Sequence, residues 1–196
     1  LRGELVKRRD PDGTFVKRTY DGLGREVATF KSYDNNTATE GTYAQVADVA
    51  GDVVVEQVFR TRDQAGNVLA TASFARFQTA TALGELTAAN ARRSYECRWF
   101  DVLGRPELDA FFGDNGGGAL PAPRPSRPEP LEVTDGARML TRYAYWAALN
   151  AGHRRWACTT AVDGQVHGAE IDALGRTVRA WVGGRLSSTD FHVVDR

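Results

Sequence analysis

With 196 residues and 21.4 kDa, the chain has room for one domain or two small ones, and 42% hydrophobic with 10% aromatic residues excludes a disordered tail. Its 25 basic and 25 acidic residues cancel, which removes the electrostatic footprint of a nucleic-acid or membrane-surface partner. No apolar stretch approaches the roughly 20 residues of a membrane-spanning helix.

The first residues, Leu1-Arg2-Gly3-Glu4, have neither an initiator Met nor a short apolar signal core, and the chain is expected to be a piece of something longer. Only Lys7, Lys17 and Lys31 are lysines, so nearly all cations are Arg, whose planar multi-donor head suits fixed contacts to carboxylates and carbonyls.

Along the chain a short unit recurs. Tyr20-Asp21-Gly22-Leu23-Gly24-Arg25 returns as Phe100-Asp101-Val102-Leu103-Gly104-Arg105 and as Ile171-Asp172-Ala173-Leu174-Gly175-Arg176. A looser copy is Arg62-Asp63-Gln64-Ala65-Gly66-Asn67. The aspartates at 21, 63, 101 and 172 are 42, 38 and 71 residues apart, the last gap being about two of the others. Asp12-Gly13 and Asp163-Gly164 each stand nine residues ahead of Asp21 and Asp172.

The chemistry of Asp-x-x-Gly predicts a hairpin. Asp opens a turn because its carboxylate accepts the backbone N–H two residues on, and Gly closes it at a position needing positive φ. Such a turn makes a hairpin loop of three to five residues with a bulge. Flanking segments read as strands: Val53, Val54, Val55 and Phe59 lead into the turn at Asp63, and Tyr95, Cys97 and Trp99 share one face with Glu96 and Arg98 on the other. An apolar residue, Val27, Leu69 or Val178, falls three places after the Gly, with Glu107 as the exception.

Between Thr79 and Arg93 an Ala/Thr-rich stretch suits a short helix or an irregular excursion. From Gly113 to Glu132 come Gly116-Gly117-Gly118 and five of the seven prolines, a stretch predicted to be an exposed loop that cannot pair into a sheet. The expected organisation is therefore a repeat segment over 1–112, a Pro/Gly-rich loop over 113–132, and a continuing repeat segment over 133–196. The expected fold class is all-β, an antiparallel strip of β-hairpin repeats.

Tyr-Asp-x-Leu-Gly-Arg with an Asp-Gly nine residues upstream resembles the YD repeat of RHS (rearrangement hot spot) proteins, over about residues 5–112 and 133–185. Strong turns here recur nearer forty residues than the usual twenty, so a degenerate hairpin, as at Ser32-Tyr33-Asp34-Asn35 or Val133-Thr134-Asp135-Gly136, or a long insertion is expected between them. The resemblance implies a sheet strip spiralling into a hollow shell, as in RHS toxins, the Tc-toxin cocoon and teneurins. It implies a secreted or cell-surface scaffold that encloses or displays an effector domain, with no catalysis or cofactor of its own. Its partners would be neighbouring repeats of a longer chain, a second copy, or the enclosed effector. Those shells carry an aspartic self-cleavage segment, and Asp10-Pro11-Asp12-Gly13 is faintly similar to it, but a YD turn follows directly and the segment reads as an ordinary repeat. The alternative is an adhesion or carbohydrate-binding module using the 113–132 loop and nearby aromatics.

No enzyme constellation stands out. His153, His167 and His192 lack the spacing of metal ligands, Ser187-Ser188 has no nucleophile elbow, and Gly22-Leu23-Gly24 belongs to the turn rather than to a dinucleotide site. A catalytic aspartate would occur once, whereas Asp21, Asp101 and Asp172 recur together with the turn's Gly. Calcium at Asp10-Pro11-Asp12 or Asp34-Asn35-Asn36 is the main exception to a structural reading. Tyr143, Tyr145, Trp146 and Trp156 read as the apolar face of a sheet ahead of a stacking surface. Cys97 and Cys158 read as two buried thiols or one long-range disulfide.

Overall fold

Strands β1 (Lys7–Arg9), β2 (Phe15–Tyr20), β3 (Glu26–Tyr33), β4 (Val53–Arg62), β5 (Val68–Arg76) and β6 (Ala91–Phe100) follow the period-two runs of the first half. Strands β7 (Pro106–Gly113), β8 (Met139–Ala147), β9 (Arg155–Thr160), β10 (Gln165–Ile171) and β11 (Thr177–Arg185) follow in the second. The only α-helix among the described residues is the single turn α1 (Tyr43–Ala47). The computed structural model describes residues 3–33, 42–128, 139–147, 155–160, 165–171 and 176–185.

The fold is all-β. Strands β1 to β5 pair each with the next in chain order, as do β7 to β11, and these pairings are antiparallel, as expected when consecutive strands are joined by direct reversals rather than crossovers. The chain divides into two units: Leu1–Glu96 with Gly113–Pro125, and Cys97–Phe112 with Ser126–Arg196. Strand β6 runs through the boundary between them.

Alternation gives the first unit two unlike faces. On one, Lys17 lies opposite Phe30, Phe30 opposite Gln57, and Gln57 opposite Phe74. Two connections fold over this face, residues 42–52 ahead of β4 and residues 77–90 between β5 and β6. They contribute Val49 and Leu86 to a core with Ala28, Phe30, Val54 and Ala91, against which Phe59 and Phe74 pack. The Phe30 and Phe59 rings meet edge to face at 5.9 Å, and Phe59 and Phe74 at 6.1 Å, the arrangement the ring quadrupole favours. Each fully buried side chain of this kind contributes about 1.5–3 kcal/mol. The opposite face is polar: the Glu26 carboxylate receives Arg18 Nε at 3.1 Å and Arg60 at 2.6 Å, and Thr29 Oγ1 donates to it at 2.6 Å.

Three buried polar contacts hold the connections down. Lys17, fully buried, meets the Asp52 carboxylate at 2.9 Å and donates to the Asp48 carbonyl, while Ser32 Oγ donates to the same Asp52 oxygen at 3.1 Å. Gln57, buried in the sheet, accepts from the Leu86 N–H at 2.7 Å and donates to the Leu86 carbonyl at 3.4 Å. The Gly84 N–H donates to the Asp52 carbonyl at 2.9 Å, so the second connection rests on the first. A capping box closes the start of α1, with Thr42 N–H donating to Gln45 Oε1 at 3.0 Å and Gln45 N–H donating to Thr42 Oγ1 at 3.4 Å.

Residues 79–93 form no helix. Arg76 draws this stretch out as an irregular path by donating to the carbonyls of Val54, Ala80 and Ala82. Strand β6 shows the predicted alternation, with Tyr95, Cys97 and Trp99 buried and Glu96 and Arg98 exposed. In β7, Leu108, Ala110 and Phe112 are buried in the same way. After β7 the chain makes a short 3-10 turn at Asn115–Gly117 and then runs without strand as far as residue 128. Arg93 donates to the Gly117 carbonyl, and Arg127 meets Glu107 at 2.9 Å.

Gln57→Leu keeps the volume of the side chain but strands the Leu86 N–H and carbonyl away from water. We expect a loss of about 1–3 kcal/mol in urea unfolding, because the cost falls on the orphaned backbone groups. An unchanged unfolding midpoint would show that Gln57 does not hold the 77–90 connection.

Candidate functional site

The recurring Asp-Gly unit is the most repeated chemistry in the chain, and it builds one turn several times over. At Asp21 the N–H donates to the Arg25 carbonyl at 2.9 Å and the Asp21 carbonyl accepts from the Gly24 N–H at 2.9 Å. The equivalent bonds are 3.0 and 3.1 Å at Asp63, and 2.9 and 2.9 Å at Asp101. Gly24, Gly66 and Gly104 take φ of 76, 97 and 75°, the left-handed region where a side chain is strained.

The carboxylate completes each turn. One oxygen of Asp21 accepts the N–H of Leu23 at 2.9 Å and of Arg25 at 3.0 Å, and the other accepts Arg25 Nε at 2.7 Å. Asp101 repeats this with Leu103 and Arg105 at 2.9, 2.9 and 2.7 Å. Asp63 accepts the Asn67 N–H at 2.8 Å and its side-chain amide at 2.9 Å, so Asn takes over the role of Arg. Backbone N–H donation from Arg25 and Arg105 holds the Asp21 and Asp101 carboxyls below the ordinary carboxylate range, and the Asn67 side chain does the same for Asp63.

A further copy precedes them. Asp10 N–H donates to the Thr14 carbonyl at 2.8 Å and Gly13 N–H to the Asp10 carbonyl at 3.0 Å. Here the carboxylate comes from the third position: Asp12 accepts the Thr14 N–H at 3.0 Å and its hydroxyl at 2.6 Å, which lowers its pKa, while Asp10 accepts Arg8 Nε at 2.9 Å. Both aspartates weighed for calcium thus hold protein donors. Asp34-Asn35-Asn36 lies outside the described residues, and among the described residues no three His, Cys, Asp or Glu side chains form a metal cluster.

Tyr20 ends β2, buries part of its ring, and donates its hydroxyl to the Leu5 carbonyl at 2.8 Å; burial raises its pKa. Phe100 ends β6 in the corresponding place, half-buried. Arg25 also reaches the next turn, donating to the Asp63 carbonyl at 3.1 Å, and Arg62 donates to the Glu26 carbonyl at 3.3 Å and the Gly66 carbonyl at 2.9 Å. Successive turns of the first unit are therefore bonded to one another as well as within themselves.

Asp172 and Gly175 lie outside the described residues, as do Asp163-Gly164, Val133-Thr134-Asp135-Gly136, His153, His192 and Ser187-Ser188. Arg176 is exposed immediately before β11, and His167 is exposed in β10. The strands on either side of 172–175 nevertheless carry the signature of the other turns. Pairing skips one residue beside each turn: Val27 between β2 and β3, Leu69 between β4 and β5, and Val178 between β10 and β11. These are the apolar residues three places after the Gly, and each is the extra residue of a bulge.

The turns also explain the spacing. Asp21 and Asp63 join alternate strand pairs, so each interval near forty residues contains a second reversal, the long connection at the far end of the strands. Between Asp101 and Asp172 three reversals intervene, and the one between β8 and β9 falls where no Asp-x-x-Gly motif is present.

The remaining chemistry lies apart from the turns. Arg98 grips the Asp109 carboxylate with two bonds, at 2.5 and 2.9 Å, and the Tyr143 hydroxyl donates to it at 2.9 Å. The Tyr143 hydroxyl is thereby engaged within the sheet. Cys97 is a buried thiol. No sequence signal marks Lys17, Asp52 or Ser32: Lys17 sits in an ordinary strand alternation, and no local pattern marks its partner thirty-five residues on.

No known family model matches the chain, and no curated protein matches it.

Two measurements test the turn. At Gly104 an added Cβ would meet nothing within 4 Å, so Gly104→Ala isolates the backbone strain; we expect thermal or urea unfolding to report a loss of about 1–3 kcal/mol. Because the folded carboxyls of Asp21, Asp63 and Asp101 titrate below their unfolded values, their contribution is complete above about pH 4 and is lost as pH falls through the lower folded values. The melting temperature should fall through that acid range, and less steeply in Asp101→Asn than in the wild type.

Proposed function

We propose that the chain is a structural segment of an RHS/YD-repeat β-shell, a secreted or surface scaffold that encloses or displays an effector domain and carries no catalysis itself. The observation that carries this reading is the fate of the aspartates. In each described turn both carboxylate oxygens, or the one that closes the turn, are occupied by the turn's own donors, at distances of 2.6–3.0 Å. A general acid or base must exchange a proton with a substrate, and a carboxylate held below its normal range by backbone N–H groups is poorly suited to that. It is well suited to fixing a reversal that must be made many times.

Strands that neighbour one another in chain order support the same reading, since such a strip can be lengthened by adding hairpins without rearranging what is already paired. Partners on this reading are the neighbouring repeats of a longer chain or a second copy, together with the enclosed domain.

The test uses the complete polypeptide in which this segment occurs. Electron microscopy should show a hollow shell, and an enclosed domain should resist protease until the shell is opened. A solid particle with no protected domain would overturn the container. Binding on a glycan array that disappears when residues 113–132 are deleted would favour the adhesion module instead.

A further inference from the structure

Ion pairs elsewhere in the described residues, such as Arg18 with Glu26 and Arg105 with Asp101, keep at least 20% of each side chain exposed. Lys17 with Asp52 differs, at 0% and 1%. Burying an ammonium and a carboxylate is costly even when they are paired, and a core that needed only to join two segments could do so with apolar side chains. The pair is also built more closely than an ion pair requires. Lys17 Nζ lies 2.9 Å from Asp52 Oδ2, Ser32 Oγ donates to that same oxygen at 3.1 Å, and the Asp48 carbonyl accepts a second Nζ hydrogen.

We propose that Lys17 and Asp52 condense to an intramolecular isopeptide bond. One proton passes from Nζ to the carboxylate, which leaves an amine and a carboxylic acid and removes both buried charges. The Nζ lone pair then forms the new bond to Asp52 Cγ. The C–Oδ2 bond breaks, and Oδ2 leaves as water with its acid proton and a second proton from nitrogen. One hydrogen stays on the amide nitrogen and faces the Asp48 carbonyl, its acceptor already. The balance is amine plus acid to amide plus water, with no oxidant, metal or cofactor. Ser32 is a positioning residue: its hydroxyl holds Oδ2, the departing oxygen, and can hand protons between nitrogen and oxygen. Holding nucleophile and electrophile in contact removes most of the entropic barrier, and exclusion of solvent protects the amide from hydrolysis.

The bond would tie β2 to the residues just ahead of β4 and lock residues 48–52 over the core. It does not depend on the shell reading, and its test does not touch that reading.

Intact mass spectrometry of the purified, folded chain decides the matter. The expected mass is one water below that of the sequence. Trypsin should release Asp10–Arg18 joined to Ser32–Arg60, because the modified Lys17 is no longer cleaved. Lys17→Met and Asp52→Ala should each show the full sequence mass. Asp52→Asn should form the same amide with loss of ammonia and arrive at the cross-linked wild-type mass. In Ser32→Ala the water loss, followed by mass after refolding, should be at least several-fold slower, whereas a residue with a purely packing role would leave that rate unchanged. Wild-type protein at full sequence mass, with cleavage after Lys17 and the two peptides separate, overturns the proposal, and this holds whether or not any variant folds.

Discussion

The first unit is organised around a cation that has no access to water. Lys17 occupies an inward position of β2, and its ammonium reaches the Asp52 carboxylate and the Asp48 carbonyl. Leaving such a charge without its partner costs about 3–5 kcal/mol, a large fraction of what a domain of this size retains as net stability. The segment before β4 therefore has one acceptable resting place, over the face where Lys17 emerges. Once it is there, Val49 covers Phe30 and Val54, and the Asp52 carbonyl offers the acceptor that seats Gly84 of the next connection. Gln57 repeats the device one strand pair further on, using an amide where β2 uses an ammonium. Apolar contact supplies most of the energy of this core, but it is non-directional. The directional contacts at Lys17 and Gln57 decide where each connection lies.

The opposite end of the same strands is governed by a different economy. There the reversals are five residues long, and their carboxylate and closing backbone groups are bonded inside the turn or to the adjacent one. Asp21 and Arg25 illustrate this: the carboxylate takes two backbone N–H groups and the guanidinium, and the guanidinium also donates to the Asp63 carbonyl. Exposed ion pairs contribute little as isolated contacts, typically about 0–1 kcal/mol. Here the charge is one part of a hydrogen-bonded loop whose geometry also sets strand register, because the bulge at Val27 or Leu69 follows from how the turn delivers the chain to the next strand. At Asp21 and Asp101 the turn places one acidic and one basic residue together, so part of the charge balance lies within the turns.

Much of this was legible in the residues themselves. Asp-x-x-Gly states both requirements of its turn, an acceptor at the first place and tolerance of positive φ at the fourth, and alternation in Tyr95-Glu96-Cys97-Arg98-Trp99 states which side is buried. The turn at Asp10 was harder to see as a full copy, because its carboxylate comes from Asp12, displaced along the chain. The burial of Lys17 was not legible at all. No residue within several positions distinguishes it from the half-exposed Lys31, and the partner that does is thirty-five positions away. The Ala/Thr-rich stretch from Thr79 is similar: its composition permits a helix, and what selects an irregular path is long-range, the Arg76 bonds and the docking of Leu86 on Gln57. Local chemistry could be read from local sequence, whereas the choice of covering segment could not.

These two kinds of reversal divide the labour of the sheet. The motif turns stand at one end of the strands in the first unit, short and nearly invariant in length, and preserve register from one hairpin to the next. The connections at the other end vary, from a five-residue turn at Asp10 to the long segments before β4 and β6, and they carry the side chains that cover the sheet. Loop length is thermodynamically cheap, about 0.6 kcal/mol for each doubling, so variation can accumulate there without disturbing the pairing. Shortening a motif turn would shift register and exchange the two faces of every strand beyond it. A sheet extended by repetition needs one end held constant and leaves the other free to diverge, which accounts for a repeat that is plain in the turns and almost absent from the sequence between them.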